Sequence, residues 1–415
     1  MNFKATILPG LLLLFGTAII DLKKYPQLDY SAYPWILAVV LLPLLIHFWL
    51  GKKYKTADHS LFLLAMFFAD LGLIMIYRLK PVLFIPQLRW VLIGLGVFLF
   101  VLHFAKNIRE MVKYQYLIGL CSVILLCSTL LLGTEIGGSL NWIVIGSVQV
   151  QPSEFAKLLI ILFLAAYLVD HRNVLSLPNK QLFFLRLPPL RFIAPLVVIW
   201  GLAILMFVVQ KDLGSALLFF GIALFMTYMA TGNKSYVFLA LIFFAISSTI
   251  SYYLFHHVRV RVAIWLHPWA DPTGPAYQIV QSLFAFGSGG VFGTGFAHGQ
   301  PGLIPEVHTD FIFSAIGEEL GLLGALAVIV AYMLFFYRSF KLSLACRNEM
   351  EMLLSAGLAV SLALQVFIIM AGVTKLLPLT GITLPFISYG GSSMVSSFII
   401  LGLLFVLSVK ENSNG

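Results

Sequence analysis

Charged side chains are rare in this chain, so the few that interrupt its apolar stretches mark where chemistry could be done. Asp310 stands in Pro305-Glu306-Val307-His308-Thr309-Asp310-Phe311-Ile312-Phe313, ahead of an apolar run that continues into Glu318-Glu319-Leu320-Gly321. A proline and a polar trio followed by large apolar residues read as a loop entering a helix. The acid then sits where a membrane segment meets water, a costly place that points to function.

Other charged residues at membrane depth carry two readings each. Glu154 and Lys157, in Gln151-Pro152-Ser153-Glu154-Phe155-Ala156-Lys157, lie at i and i+3 on one face of a helix start. They form either an internal salt bridge or a site in which Lys157 faces an anionic substrate group. Asp212, in Gln210-Lys211-Asp212-Leu213-Gly214-Ser215, reads first as a cap of the following helix. Asp70, alone among apolar neighbours, is expected to hydrogen-bond within a helix bundle. Arg259 and Arg261 are either solvated or a diphosphate clamp, since the guanidinium fork matches phosphate oxygens. In Leu384-Pro385-Phe386-Ile387-Ser388-Tyr389-Gly390-Gly391-Ser392-Ser393, paired glycines and hydroxyls suit a broken or closely packed helix lining a cavity, with Ser392 a candidate substrate contact.

The elements that must position these groups are membrane helices. Of 415 residues, 60% are hydrophobic and 10% charged, and the mean hydropathy is +0.99, which no soluble domain matches. A bilayer core of roughly 30 Å needs about 20 apolar residues per helix. Windows of that kind predict an all-α polytopic bundle with helices near 5–20, 34–50, 59–79, 87–104, 114–133, 153–170, 192–209, 212–231, 235–255, 308–338, 350–374 and 385–409. These about twelve helices divide into two N-terminal helices in 1–58, a core in 59–409 and a tail at 410–415. The net charge of +9 belongs to loops that set orientation and touch anionic lipid, and no nucleic-acid partner is expected. Cys121, Cys127 and Cys346 form no disulfide or zinc pattern, and the first apolar run lacks a small-residue cleavage site.

Placing the N-terminus inside collects most basic residues, including Lys52, Lys53, Lys55, Arg172, Lys180 and Arg186, in cytoplasmic loops. Both termini are then cytoplasmic, and the 134–152 loop around Trp142 and the long 256–307 loop are outside. The long loop keeps Trp265, Trp269, Tyr277, Phe284, Phe286 and Phe292 among its glycines and prolines, the composition of a folded cap and not of a disordered linker.

Four segments taken together, QPSEFAK (151–157), PWADPTGPAYQIVQSL (268–283), PEVHTDFIFSAIGEELG (305–321) and LPFISYGGSS (384–393), resemble the signature blocks of the SEDS family, the RodA and FtsW type of cell-wall polymerase. The resemblance spans about 59–409 and implies a ten-helix core in the bacterial plasma membrane. It further implies a glycosyltransferase that joins the disaccharide of lipid II into peptidoglycan strands. On this resemblance Asp310 matches the essential carboxylate, Trp142 the functional tryptophan, and Lys157 and Arg261 basic positions of the substrate cavity. Glu154, Arg259, Glu318 and Ser392 fall in or beside the same blocks, and the role of Glu318 and Glu319 stays open. The family's usual proline is Lys211 here, and an asparagine and a glycine are replaced by Ile369 and Lys375.

The implied reaction needs a base on the attacking hydroxyl and cations on the departing diphosphate. Asp310 suits the first task, and Lys157 and Arg261 the second. A divalent cation, Mg²⁺ or Mn²⁺, is a candidate helper, commonly held by one or two carboxylates plus substrate phosphates. The expected partners are lipid II, the lipid-linked glycan strand, membrane lipids and a single-pass class B penicillin-binding transpeptidase. A lipid flippase or a non-catalytic scaffold of the cell-wall complex is the competing expectation, and loss of Asp310 discriminates, since a scaffold tolerates it. The charge distribution predicts that a cysteine near Lys180 is labelled only after the inner face is opened, and one near Gln300 in intact cells; the reverse pattern would invert the topology.

Overall fold

The computed structural model describes residues 3–24, 33–105, 108–136, 139–146, 148–176, 180–182, 185–187, 194, 197–199, 201–202, 205 and 209–413. Its main helices are α1 (Phe3–Lys24), α2 (Tyr33–Lys53), α3 (His59–Leu79), α4 (Phe84–Phe104), α5 (Gln115–Leu132), α6 (Pro152–Asp170), α7 (Leu213–Thr231), α8 (Lys234–Leu254), α9 (His256–Leu266), α10 (Tyr277–Gly289), α11 (Ile312–Ala345), α12 (Glu349–Val373) and α13 (Gly391–Ser413). Among the described residues ten helices are long and apolar enough to cross a membrane, and a shorter apolar segment covers Ile7–Leu22. The expectation of twelve is not reproduced as a count, because most of the expected 192–209 helix lies outside the described residues.

Helix boundaries follow local chemistry. Asp58, Asp212 and Asn233 cap α3, α7 and α8 by accepting from the N–H groups of Ser60, Ser215 and Ser235. Gly232 closes α7 at φ 64, the left-handed geometry that glycine adopts without a Cβ clash. Two starts differ from expectation. α11 begins at Ile312 rather than 308, and α13 at Gly391 rather than 385, because the residues before each are held in turns. α11 is broken at Gly321, φ 67, where the N–H groups of Leu322 and Leu323 donate to the carbonyls of Gly290 and Val291 instead of to the preceding turn.

The expected long loop 256–307 contains helix: α9, α10 and short 3₁₀ turns at Pro268–Ala270 and Pro301–Leu303. The expected Gly-rich loop 134–152 is an antiparallel sheet, β1 (Thr134–Ile136), β2 (Ser139–Ile145) and β3 (Val148–Val150), with Thr134 opposite Trp142 and Ile143 opposite Val150. Gly146 at φ 63 supplies the tight reversal between β2 and β3, and the flanking Ile and Val are β-branched. A second hairpin pairs β4 (Lys180–Leu182) with β5 (Leu185–Leu187).

The chain forms two compact units. The first comprises 1–106, 267–341 and 365–415. Its core is α3 with α4 and α13. Gly94 lies under the Phe398 ring and Gly72 against the backbone of Ile387, so both contacts require the absence of a side chain. Phe68 stacks on Tyr332 at 4.0 Å, and Tyr332 donates to the carbonyl of Pro385 at 2.5 Å. Asp21 of α1 accepts from Tyr77 of α3 and from Tyr33 of α2, which ties the N-terminal helices to this core. The second unit comprises 107–266 and 342–364, with α6 buried along most of its length beside α5 and α7. α8 has no buried residue, leaving apolar surface for a bilayer to cover.

Asp70 departs from its expectation. It is buried, but its Oδ1 has no hydrogen-bond partner, and the small cavity beside it is lined by Pro9, Gly10, Val39, Val40 and Pro43 of α1 and α2. An unsatisfied buried polar group costs about 1–3 kcal/mol. Asp70→Leu is therefore expected to raise the thermal unfolding temperature of the purified protein, and a fall would show that the carboxylate is satisfied in the membrane.

Candidate functional site

Asp310 ends a turn docked on a second turn within the first unit. His308 is buried, whereas Thr309 and Asp310 are half-buried. Thr309 closes the turn through its N–H and hydroxyl on the carbonyl of Glu306, at 3.1 and 2.9 Å. Ser388 donates to the carbonyl of Thr309 at 2.5 Å, and the N–H of Tyr389 to that of His308 at 2.9 Å. Thus the backbone on the N-terminal side of Asp310 is fixed by the LPFISYGG segment. Gln87 of α4 braces that segment in turn, donating to the carbonyl of Ser388 and accepting from the N–H of Gly390, each at 3.3 Å.

Gly381 lies beside the carboxylate: a Cβ there would come 3.4 Å from Asp310 Oδ2, and its φ of 74 already excludes most side chains. Glu306, φ 54, and Phe386, φ 63, hold left-handed backbone without being glycine. Such strain costs on the order of 1–3 kcal/mol per residue and gathers where surrounding bonds over-determine the chain.

Glu318 and Glu319 do a different task. Glu318 Oε1 accepts from the N–H of Gln300 at 2.7 Å, and Glu319 Oε2 from that of Ala297 at 3.0 Å. Arg78 of α3 pairs with Glu319 Oε1 at 3.0 Å and donates to the carbonyl of Gly299 at 2.9 Å. The break at Gly321 frees carbonyls of Glu318 and Glu319 to accept from Thr294 and Gly295 at 3.0 and 3.1 Å. Both acids therefore pin the 290–300 loop to α11.

The FtsW/RodA/SpoVE cell cycle protein family matches residues 58–413. The chain belongs to this family. It is 41% identical to the peptidoglycan glycosyltransferase RodA of Mycobacterium tuberculosis over 351 residues, covering 81% of this chain and 75% of that one. It is 31% identical to the probable peptidoglycan glycosyltransferase FtsW of Geobacter sulfurreducens, covering 86% and 97%. Among solved structures, a peptidoglycan synthase complex that coordinates polymerization and crosslinking aligns with TM-score 0.70 at 27% identity, over 86% of this chain and 98% of that one. The rod shape determining protein RodA of Thermus thermophilus aligns at 0.60 and 25%, with the same coverage. α1 and α2 both precede the start of the FtsW/RodA/SpoVE match at residue 58.

The family's expected site residues divide between the units. Asp310, Glu318 and Ser392 are in the first, and Ser392 is buried at the start of α13. Trp142, Glu154, Lys157, Arg259 and Arg261 are in the second. Lys157 and Glu154 meet at 2.5 Å, and the lysine side chain is only 1% exposed, so the salt-bridge reading describes this pair and a lone Lys157 does not. Trp142 is half-buried on β2, whose position is set by its neighbour Asn141 donating to Asp212 at 2.7 Å and by Leu140 N–H on Gln210 at 3.0 Å. Arg259 and Arg261 lie on α9, where residues two apart do not face each other, so a joint clamp is not formed by that helix. Arg259 is exposed and Arg261 half-buried.

Two departures from the family pattern acquire a conformation. Lys375 holds φ 63, which the family's glycine adopts freely, and Lys211 holds φ 62, which a proline cannot adopt. Sequence reasoning missed Arg78, Gln87, Ser388 and Gly381 as positioning residues. Their signal was available only for Ser388 and Gly381, as polar and breaking residues inside an apolar stretch.

His308 offers a pH test. Burial, and then the charge of Lys80, lowers its pKa from 6.5, against an opposing pull from Glu306 3.6 Å away. Folding therefore favours the neutral imidazole, and this contribution to stability is full above about 6.5, the unfolded value, and lost as pH falls toward the depressed folded value. Wild type is expected to lose more thermal stability between pH 7.5 and 5.5 than His308→Gln; equal losses would place the acid sensitivity elsewhere.

Proposed function

We propose that this chain is a peptidoglycan glycosyltransferase that polymerises lipid II into glycan strands, with Asp310 as general base. The observation that carries the reading is the doubly docked turn: a half-buried carboxylate whose backbone is held by Ser388 and Tyr389, beside a glycine that leaves room at its oxygen. Membership of a family whose relatives carry that activity in their names supports it.

A hydroxyl of the acceptor, lipid II, attacks the anomeric carbon of the donor, the lipid-anchored growing strand. The new glycosidic C–O bond forms as the bond from the anomeric carbon to the diphosphate oxygen breaks, and Asp310 takes the hydroxyl proton. Positive groups lower the cost of charge developing on the leaving diphosphate. Arg261 is the more accessible of the two cations that the family resemblance supplies, because Lys157 is buried against Glu154. Among the described residues no three His, Cys, Asp or Glu side chains converge as a metal cage. A divalent cation would accordingly be held by the Asp310 carboxylate and substrate phosphates, and when bound it adds positive charge at the diphosphate.

The chain spans the plasma membrane repeatedly, with both termini cytoplasmic and Asp310 at the outer face. The solved synthase complex couples polymerization to crosslinking, which supports a class B penicillin-binding transpeptidase as partner here.

Asp310→Asn keeps side-chain size and removes the base. Glycan synthesis from lipid II by purified protein with its transpeptidase, assayed with EDTA and with added Mg²⁺ or Mn²⁺, is expected to fall by about 10²–10⁴-fold. Thermal stability should be retained, and Trp142→Ala should weaken substrate use without removing the proton acceptor. Near wild-type synthesis by folded Asp310→Asn would remove the catalytic assignment of Asp310, whereas no synthesis by wild type would favour a flippase or scaffold.

A further inference from the structure

A cavity of about 460 Å³ opens in the first unit between α10, the 294–304 stretch and the start of α11. Asp310 is not among the residues that line it. Its size falls within the roughly 300–1,000 Å³ of small-ligand sites.

The wall is built before any ligand arrives. Thr294, His298, Gly299 and Gln300 belong to the loop that Glu318, Glu319 and Arg78 hold by side-chain and backbone hydrogen bonds. A wall already ordered loses little further freedom on binding, which favours affinity.

Its chemistry excludes several ligands. No lysine or arginine lines the cavity, so a diphosphate or other anion finds no partner there. One carboxylate, Glu318, already accepts from Gln300 N–H, which is too little for a bare cation. An acyl chain would offer no hydrogen bond to the side-chain amide of Gln281, which lies half-buried in the wall. A ligand that satisfies the lining has hydroxyls and an amide around its edge and an apolar face. The edge groups suit Gln281, His298, Gln300 and Glu318, and the face suits the ring of Phe284, which is backed by Trp269 at 5.7 Å between ring centres.

We propose that this cavity is a carbohydrate subsite that holds an N-acetylated sugar of the glycan strand away from the bond being made. The inference rests on the glycosyltransferase reading. A polymerase that retains its product between additions needs binding energy remote from the reacting atoms, and this cavity supplies a place for it.

The test uses full-length protein and a soluble probe, the β-1,4-linked tetramer of N-acetylglucosamine. Saturation-transfer NMR should show the tetramer bound to wild type, with Gln281→Ala and Phe284→Ala each weakening binding by up to about tenfold, the worth of one good neutral contact. Strands made from lipid II should be shorter in both variants, and Phe284→Tyr, which keeps the ring, should restore their length. Absence of transfer to wild type overturns the proposal without recourse to any variant. Unchanged binding and strand length in folded Gln281→Ala and Phe284→Ala also overturn it, while leaving the glycosyltransferase reading intact. Wild-type protein that makes no strand with its transpeptidase present overturns that reading, and the subsite with it.

Discussion

Backbone polar groups inside a bilayer have no water to turn to, so every stretch that leaves the helix must find its hydrogen bonds within the protein. The first unit is organised by that constraint. Residues 305–311 and 384–390 are both non-helical between apolar helices, and each supplies what the other lacks: a serine hydroxyl and a tyrosine N–H on one side, the carbonyls of Thr309 and His308 on the other. The position of Asp310 is a consequence of this mutual satisfaction. Its carboxylate is presented at the end of a turn that cannot relax without orphaning donors and acceptors on two segments.

The same constraint explains the acidic pair on α11. An acid in a membrane helix is costly unless its oxygens are occupied. Glu319 is occupied by Arg78 and a backbone N–H, and Glu318 by another backbone N–H. In return the 290–300 loop gains fixed attachment at several points. The turn at Gly321 is part of this exchange, since only where α11 breaks are carbonyls of Glu318 and Glu319 available to Thr294 and Gly295.

Much of this was legible in the sequence. The apolar windows 59–79, 212–231 and 235–255 agree closely with α3, α7 and α8, because a long apolar run has few alternatives. Asp310 could be singled out because an acid between a proline turn and an apolar run is expensive. Less legible were features made by partners distant in sequence. Nothing near Glu319 announces its partner Arg78, which is 241 positions away in the chain. The sheet at 134–150 was hidden because its glycines suggested a loop, whereas one of them, Gly146, is the reversal that lets Ile143–Ile145 pair with Val148–Val150. Arg259 and Arg261 looked like a clamp only as long as 256–266 was taken for an extended loop; helical geometry turns them apart.

The left-handed residues Ala297, Glu306, Lys375 and Phe386 give the first unit an unusual mutational profile. Glycine at any of them would relieve local backbone strain and, by the same change, widen the conformations open to the unfolded chain. Selection for heat resistance would thus find opposing contributions at the very turns that present Asp310 and the 290–300 loop. Variants gaining robustness should accumulate in the helix interfaces instead, leaving these turns as a slowly changing island in an otherwise adaptable bundle.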